Sequence, residues 1–142
     1  ALNGLFVFMI EMPLVFQLEG RKVHLYYVRI GLLLYAASYL IFLLPIGFTL
    51  AGLFFIIAIS FGEMFVMPFS SNFVFGRSAG AFQGQYMAFY GIAWAIANSI
   101  APLYGTQIIA AWGYDTLWTL MAVQALAVWV GFWYLEKREV RE

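Results

Sequence analysis

Apolar stretches of about 20 residues recur along the chain with hardly a charge inside them, and that recurrence limits the possible folds more than any other feature. A helix rises about 1.5 Å per residue, so each stretch is long enough to cross a hydrocarbon core about 30 Å thick. Of the 142 residues, 65% are hydrophobic and only 10% are charged, with mean hydropathy +0.89. Ordinary soluble domains carry about 25% charged residues, and a water-facing surface cannot be built from so few. The chain is therefore expected to be an all-α integral membrane protein, because in lipid the backbone groups must satisfy one another within each segment. It opens Ala1-Leu2-Asn3-Gly4 and is apolar at once, without the basic start of a secretory signal. An internal piece of a longer protein is the expectation. Zero formal net charge gives nucleic acid no footing, and the absence of cysteine excludes disulfides and thiolate metal sites.

Five transmembrane helices are predicted, at about 2–18, 23–44, 47–69, 84–111 and 115–135, forming a single domain with a tail at 136–142. The breaks are Glu19-Gly20-Arg21-Lys22, Pro45-Ile46-Gly47, the polar stretch from Ser70 to Gly84, and Trp112-Gly113-Tyr114-Asp115. Basic residues fall in alternate connections: Arg21, Lys22 and Arg29 at the first, Arg77 at the third, and Lys137, Arg138 and Arg141 after the last span. By the positive-inside rule these ends are cytoplasmic and the N-terminus is outside. Tyr26, Tyr27, Trp112, Tyr114, Trp133 and Tyr134 stand near span ends, as interfacial aromatic belts require. The second and fifth spans have no acid in their interiors and are expected to face lipid. The first holds Glu11, the third Glu63, and the fourth Asn98, Ser99 and Gln107. Polar groups at such depths normally face a bundle interior or a wet cavity.

The segment Pro13-Leu14-Val15-Phe16-Gln17-Leu18-Glu19-Gly20-Arg21-Lys22 resembles the G-x-L-a-D-r-x-G-r-k loop of major facilitator superfamily transporters, in the form that follows their eighth helix. Gly20, Arg21 and Lys22 match its G-r-k end, while Pro13 and Gln17 replace its glycine and aspartate. Ala101-Pro102-Leu103-Tyr104-Gly105 is similar to the G-P-x-x-G element of these proteins, and the stretch from Gly62 to Trp94 resembles the join of their tenth and eleventh helices. The resemblance covers essentially the whole chain, as helices eight to twelve of twelve, and implies that preceding helices of the same protein complete two six-helix halves. It implies a substrate site between the halves near the midplane, opened alternately to each side. It also puts the second and fifth spans outermost, the third beside the central cavity, and the first and fourth near the other half.

Glu63 is the only charged residue in the run from Ile46 to Pro68. With the span ending near 69, it lies about 8 Å from the cytoplasmic end. Two roles are open for it. A carboxylate whose burial moves its titration into the working range can couple transport to protons. Alternatively, it forms a cytoplasmic latch with Arg21, Lys22 or Arg77, in the loop to which Gln17 and Gly20 also belong. Glu11 has no cation in its own span and precedes Pro13 closely, so proton coupling, substrate contact and a structural hydrogen bond are all open to it.

On the fourth span Tyr86, Tyr90, Trp94, Asn98 and Pro102 recur every four residues and share one helix face. Tyr90, Trp94 and Asn98 are read either as a wall for an organic substrate or as packing, with Asn98 bonded to a backbone carbonyl. Beside them Ala93, Ala97, Ala101 and Gly105 make the small-xxx-small pattern of close helix contact, and Pro102 permits a bend. His24 reads as an interfacial residue beside Arg21 and Lys22, and the six methionines as packing. No phosphate loop, nucleophile elbow or metal-ligand spacing occurs, so neither an enzyme nor a cofactor is expected. The expected function is proton-coupled transport of a small organic molecule across the cell (inner) membrane, with drug or metabolite efflux by antiport the default. The alternative is a non-transporting scaffold or assembly subunit whose acids only fix helix packing.

Overall fold

A computed structural model describes residues 9–10, 13–18, 23–77, 80 and 82–139 of the chain, and among them every regular element is helical. Residues 13–18 are helical, and three long helices follow: α1 (His24–Ile41), α2 (Phe48–Arg77) and α3 (Gln83–Glu139). All three are long and apolar enough to cross a membrane. α3 is not one continuous rod. Gly113 stands at φ 83° and ψ 177°, so the helix breaks into arms over 83–112 and 114–139. That backbone region is essentially restricted to glycine, because any Cβ would clash there. The break coincides with the predicted connection Trp112-Gly113-Tyr114-Asp115.

α1 and α2 run antiparallel through a tight connection. Leu43 and Leu44 close the end of α1 with N–H bonds three residues back, and the Gly47 carbonyl accepts the Ala51 N–H to start α2. Pro45 lacks an N–H and cannot continue α1. The closest crossing of the two helices is made by two glycines. A Cβ on Gly31 would stand 2.6 Å from Val66 Cγ2 and 2.8 Å from the Gly62 carbonyl oxygen, and one on Gly62 would stand 2.7 Å from the Tyr35 ring. In lipid, where solvent does not drive helices together, such intimate van der Waals contact is a principal source of association.

At the His24 end of α1 this crossing opens into the core: Leu25, Tyr27, Val28, Met64 and Phe69 are almost wholly buried. Tyr27 lies 4.5 Å from Phe69 by ring centroids and stacks on Phe65. The second arm of α3 covers the other flank of α1. At one end Arg29 pairs with Glu136, and at the opposite end Phe42 stacks on Trp118 at 4.6 Å. The arm is therefore antiparallel to α1.

Two sequence expectations need correction. The second span, expected to be outermost and to face lipid, is the most enclosed of the three long helices, with Gly31, Ala36 and Ser38 buried along with its large side chains. An apolar face is equally content against lipid or against another helix, so low polarity does not locate a helix in a bundle. The third span does not end near 69. α2 runs on through Pro68 to Arg77, and the polar residues Ser70, Ser71 and Asn72 are helical rather than part of a connection. Ser70 and Ser71 donate to the carbonyl oxygens of Met67 and Pro68, at 3.1 and 3.0 Å, which lets hydroxyl-bearing residues sit inside a helix without exposed donors.

Candidate cavity and mid-helix carboxylate

The longer α2 changes the position of Glu63. It lies fifteen residues from Phe48 and fourteen from Arg77, in the middle of the helix rather than near either end. At about 1.5 Å per residue, Arg77 is about 21 Å away along the same helix, so these two cannot form the expected latch. Arg77 is exposed and its guanidinium lies 5.1 Å from the Phe73 ring centroid. Gln17 is exposed. Gly20, Arg21, Lys22 and Glu11 lie outside the described residues.

Glu63 is half-buried and follows Gly62, the α2 residue on which the Tyr35 ring of α1 packs. Tyr35 reaches this corner because Gly62 leaves room for its ring against the α2 backbone.

Tyr90 and Trp94, expected on one helix face, do share a cavity. It is a cleft of about 520 Å³ lined by Val15, Met67, Pro68, Ser71, Asn72, Tyr90 and Trp94. The Tyr90 hydroxyl is 2.9 Å from Ser70 Oγ, and either oxygen can be the donor. That bond ties the first arm of α3 to α2 just beyond Pro68. Pro68 supplies no N–H, so the Met64 carbonyl has no helical partner and the helix is weakened beside the cleft. The size and the mix of aromatic, hydroxyl and amide groups suit a small organic molecule. Ser70, Ser71 and Asn72 were hidden from sequence reasoning because a run of small polar residues reads as a loop. The signal available was Pro68 itself, since proline is tolerated inside membrane helices where hydroxyl side chains can repair the freed backbone.

Asn98 does not join the cleft. Its amide donates to the Trp94 carbonyl at 2.9 Å, as Ser99 does to Ala95 and Thr106 to Pro102. Each of these polar side chains is satisfied by its own helix. The small-residue stripe also behaves differently from expectation: Ala93, Ala97, Ala101 and Pro102 are exposed, and no atom lies within 4 Å of where a Gly105 Cβ would be. Among the described residues the intimate glycine contact is at Gly31 and Gly62 instead. Ala97 and Ala101 line a second cleft of about 580 Å³, between the two arms of α3, with Tyr104, Leu120 and Gln124.

Arg29, grouped by sequence with the loop cations, lies within α1 and pairs with Glu136, their side chains 21% and 17% exposed. The guanidinium also lies 4.9 Å from the Trp129 ring centroid. Lys137 sits 3.8 Å over Trp133 and Arg138 5.4 Å over Tyr134, which gathers basic and aromatic side chains at the end of α3. Among the described residues no group of histidine, aspartate and glutamate could hold a metal. No family model, curated protein or solved structure matches the chain.

Proposed function

We propose that the chain is part of a secondary active transporter of the major facilitator type, which moves a small organic molecule across the cell membrane by alternating access and draws on a proton gradient. The observation that carries this reading is the cleft at Tyr90 and Trp94, walled on its other side by a helix that Pro68 weakens. An aromatic and hydrogen-bonding cavity beside a bendable membrane helix is what binding and release from alternate sides require. Glu63 supports proton coupling, because an acid in the middle of an apolar helix is costly and therefore calls for a functional account.

On this reading the Gly113 break separates two spans, which gives five in all with the first, and further helices of the same protein complete the bundle. The first and third connections and the tail are cytoplasmic. The partners are the small-molecule substrate, protons and the bilayer, and no enzymatic step is assigned.

The test uses the protein with its complete set of helices in liposomes under an imposed inward proton gradient, with a panel of dyes and metabolites. Wild type is compared with Glu63→Gln and Glu11→Gln. One substitution is expected to abolish gradient-driven flux while leaving substrate exchange intact. If both variants couple normally and lose only stability, the acids are structural and the scaffold reading takes over.

A further inference from the structure

A hydroxyl has one proton to give and two lone pairs to offer. A carbonyl oxygen can only accept, so a hydroxyl bonded to one must be the donor. Ser71, which lines the cleft at Tyr90 and Trp94, donates to the Pro68 carbonyl oxygen at 3.0 Å, and its proton is therefore used inside α2. Ser70 donates in the same way to the Met67 carbonyl oxygen at 3.1 Å. Its oxygen also stands 2.9 Å from the Tyr90 hydroxyl. With the Ser70 proton on Met67, this second bond forms only if Tyr90 is the donor. The reverse direction forfeits the bond to Met67. Both hydroxyls that line the cleft, those of Ser71 and Tyr90, thus have their protons engaged within the protein and keep lone pairs to offer.

We infer that the cleft selects its ligand by hydrogen-bond donors: the molecule it takes brings an N–H or O–H to Ser71 and Tyr90, beside an apolar surface that Met67 and Trp94 cover. Ser70 does not itself line the cleft, and it is a positioning residue, because it takes up the Tyr90 proton and leaves that hydroxyl an acceptor.

A ligand with acceptors alone, such as a carboxylate or a phosphate ester, sets lone pair against lone pair at both hydroxyls and meets no cation among the lining residues. Away from water such an unmatched pair is costly, and a site built to accept from a donor rejects the analogue that lacks one. Asn72 does not alter this preference. Its amide offers both a donor and an acceptor, so it can orient a ligand of either kind. The selectivity rests on the cleft being the binding site proposed above, but not on transport.

The experiment compares indole, whose ring N–H donates, with benzofuran, in which an oxygen that can only accept replaces that N–H. The protein with its complete set of helices is held in lipid nanodiscs with isotope-labelled methionine methyl groups. Met67, a lining residue, reports occupancy through its methyl resonance, assigned with Met67→Leu, and the other methionine resonances show that each variant stays folded. Indole is expected to bind about tenfold more tightly than benzofuran. Ser71→Ala and Tyr90→Phe each remove an acceptor and are expected to weaken indole while leaving benzofuran in place. Ser70→Ala frees the Tyr90 proton for the cleft and is expected to tighten benzofuran, which narrows the preference from the other side. Equal or tighter binding of benzofuran in wild type overturns the inference. So does a preference that Tyr90→Phe or Ser70→Ala leaves unchanged, or the absence of a saturable Met67 shift with either probe. Binding in the expected order without proton-driven flux in liposomes removes the transporter proposal and leaves the donor selectivity standing.

Discussion

Gly31 and Gly62 show what a single missing Cβ does between two long apolar helices. Each position lets the facing helix approach until a methyl group would overlap backbone or ring atoms. Gly31→Ala is expected to destabilise the α1–α2 pair by about 1–3 kcal/mol, the usual range for an overpacked contact, although glycine is the poorer helix former. Reversible unfolding in bicelles checks this, and a stabilised variant would mean that α1 and α2 do not cross there. Gly105→Ala has open space around it and is expected to cost nothing by the same measurement. Arg29 and Glu136 are a second residue-scale case. Both are mostly buried, so removing either leaves its partner unpaired. A double-mutant cycle on Arg29→Ala and Glu136→Ala is expected to give a coupling of about 0.5–3 kcal/mol, and strict additivity would show the pair to be energetically idle.

Two interruptions decide how the elements behave. Gly113 holds α3 at an angle that other residues adopt only under strain. Gly113→Ala is expected to cost about 1–3 kcal/mol, read by the same unfolding assay, because the arm over 114–139 must stay seated on α1. Pro68 does the opposite work, weakening α2 where the cleft lies. Replacing it with alanine restores an amide donor and removes a ring that crowds the preceding turn, so Pro68→Ala is expected to raise stability by up to about 3 kcal/mol. In the liposome assay the same variant is expected to lower flux. An increase in both would show that the weak point at Pro68 plays no part in transport.

On the scale of the whole molecule, the helices differ sharply in how much of them is covered. α1 is packed on two sides, by α2 and by the far arm of α3, whereas residues 91–104 of α3 are exposed throughout. Those residues include Ala93, Trp94, Ala97, Asn98, Ala101 and Pro102, most of the faces expected to pack or to line a cavity. A transporter built on this chain needs other helices against that face, so the 142-residue chain alone in liposomes is expected to show no uptake, and uptake would refute the two-halves reading.

The apolar runs in the sequence were enough to predict spans at 23–44 and 47–69, which became helices at 24–41 and 48–77, and Trp112-Gly113-Tyr114-Asp115 was enough to locate the break in α3. Spacing of four brought Tyr90 and Trp94 to one cavity, since i and i+4 are neighbours on any helix. These features are local, and local chemistry determines them. Where α2 ends was not legible, because Ser70, Ser71 and Asn72 bond as readily within a helix as in a turn. The enclosure of α1, the meeting of Gly31 with Gly62, and the pairing of Arg29 with Glu136, 107 residues apart, were decided by the tertiary structure alone. In lipid the hydrophobic pattern identifies what crosses the membrane and no longer distinguishes inside from outside, so only packing can settle which helix lies at the centre.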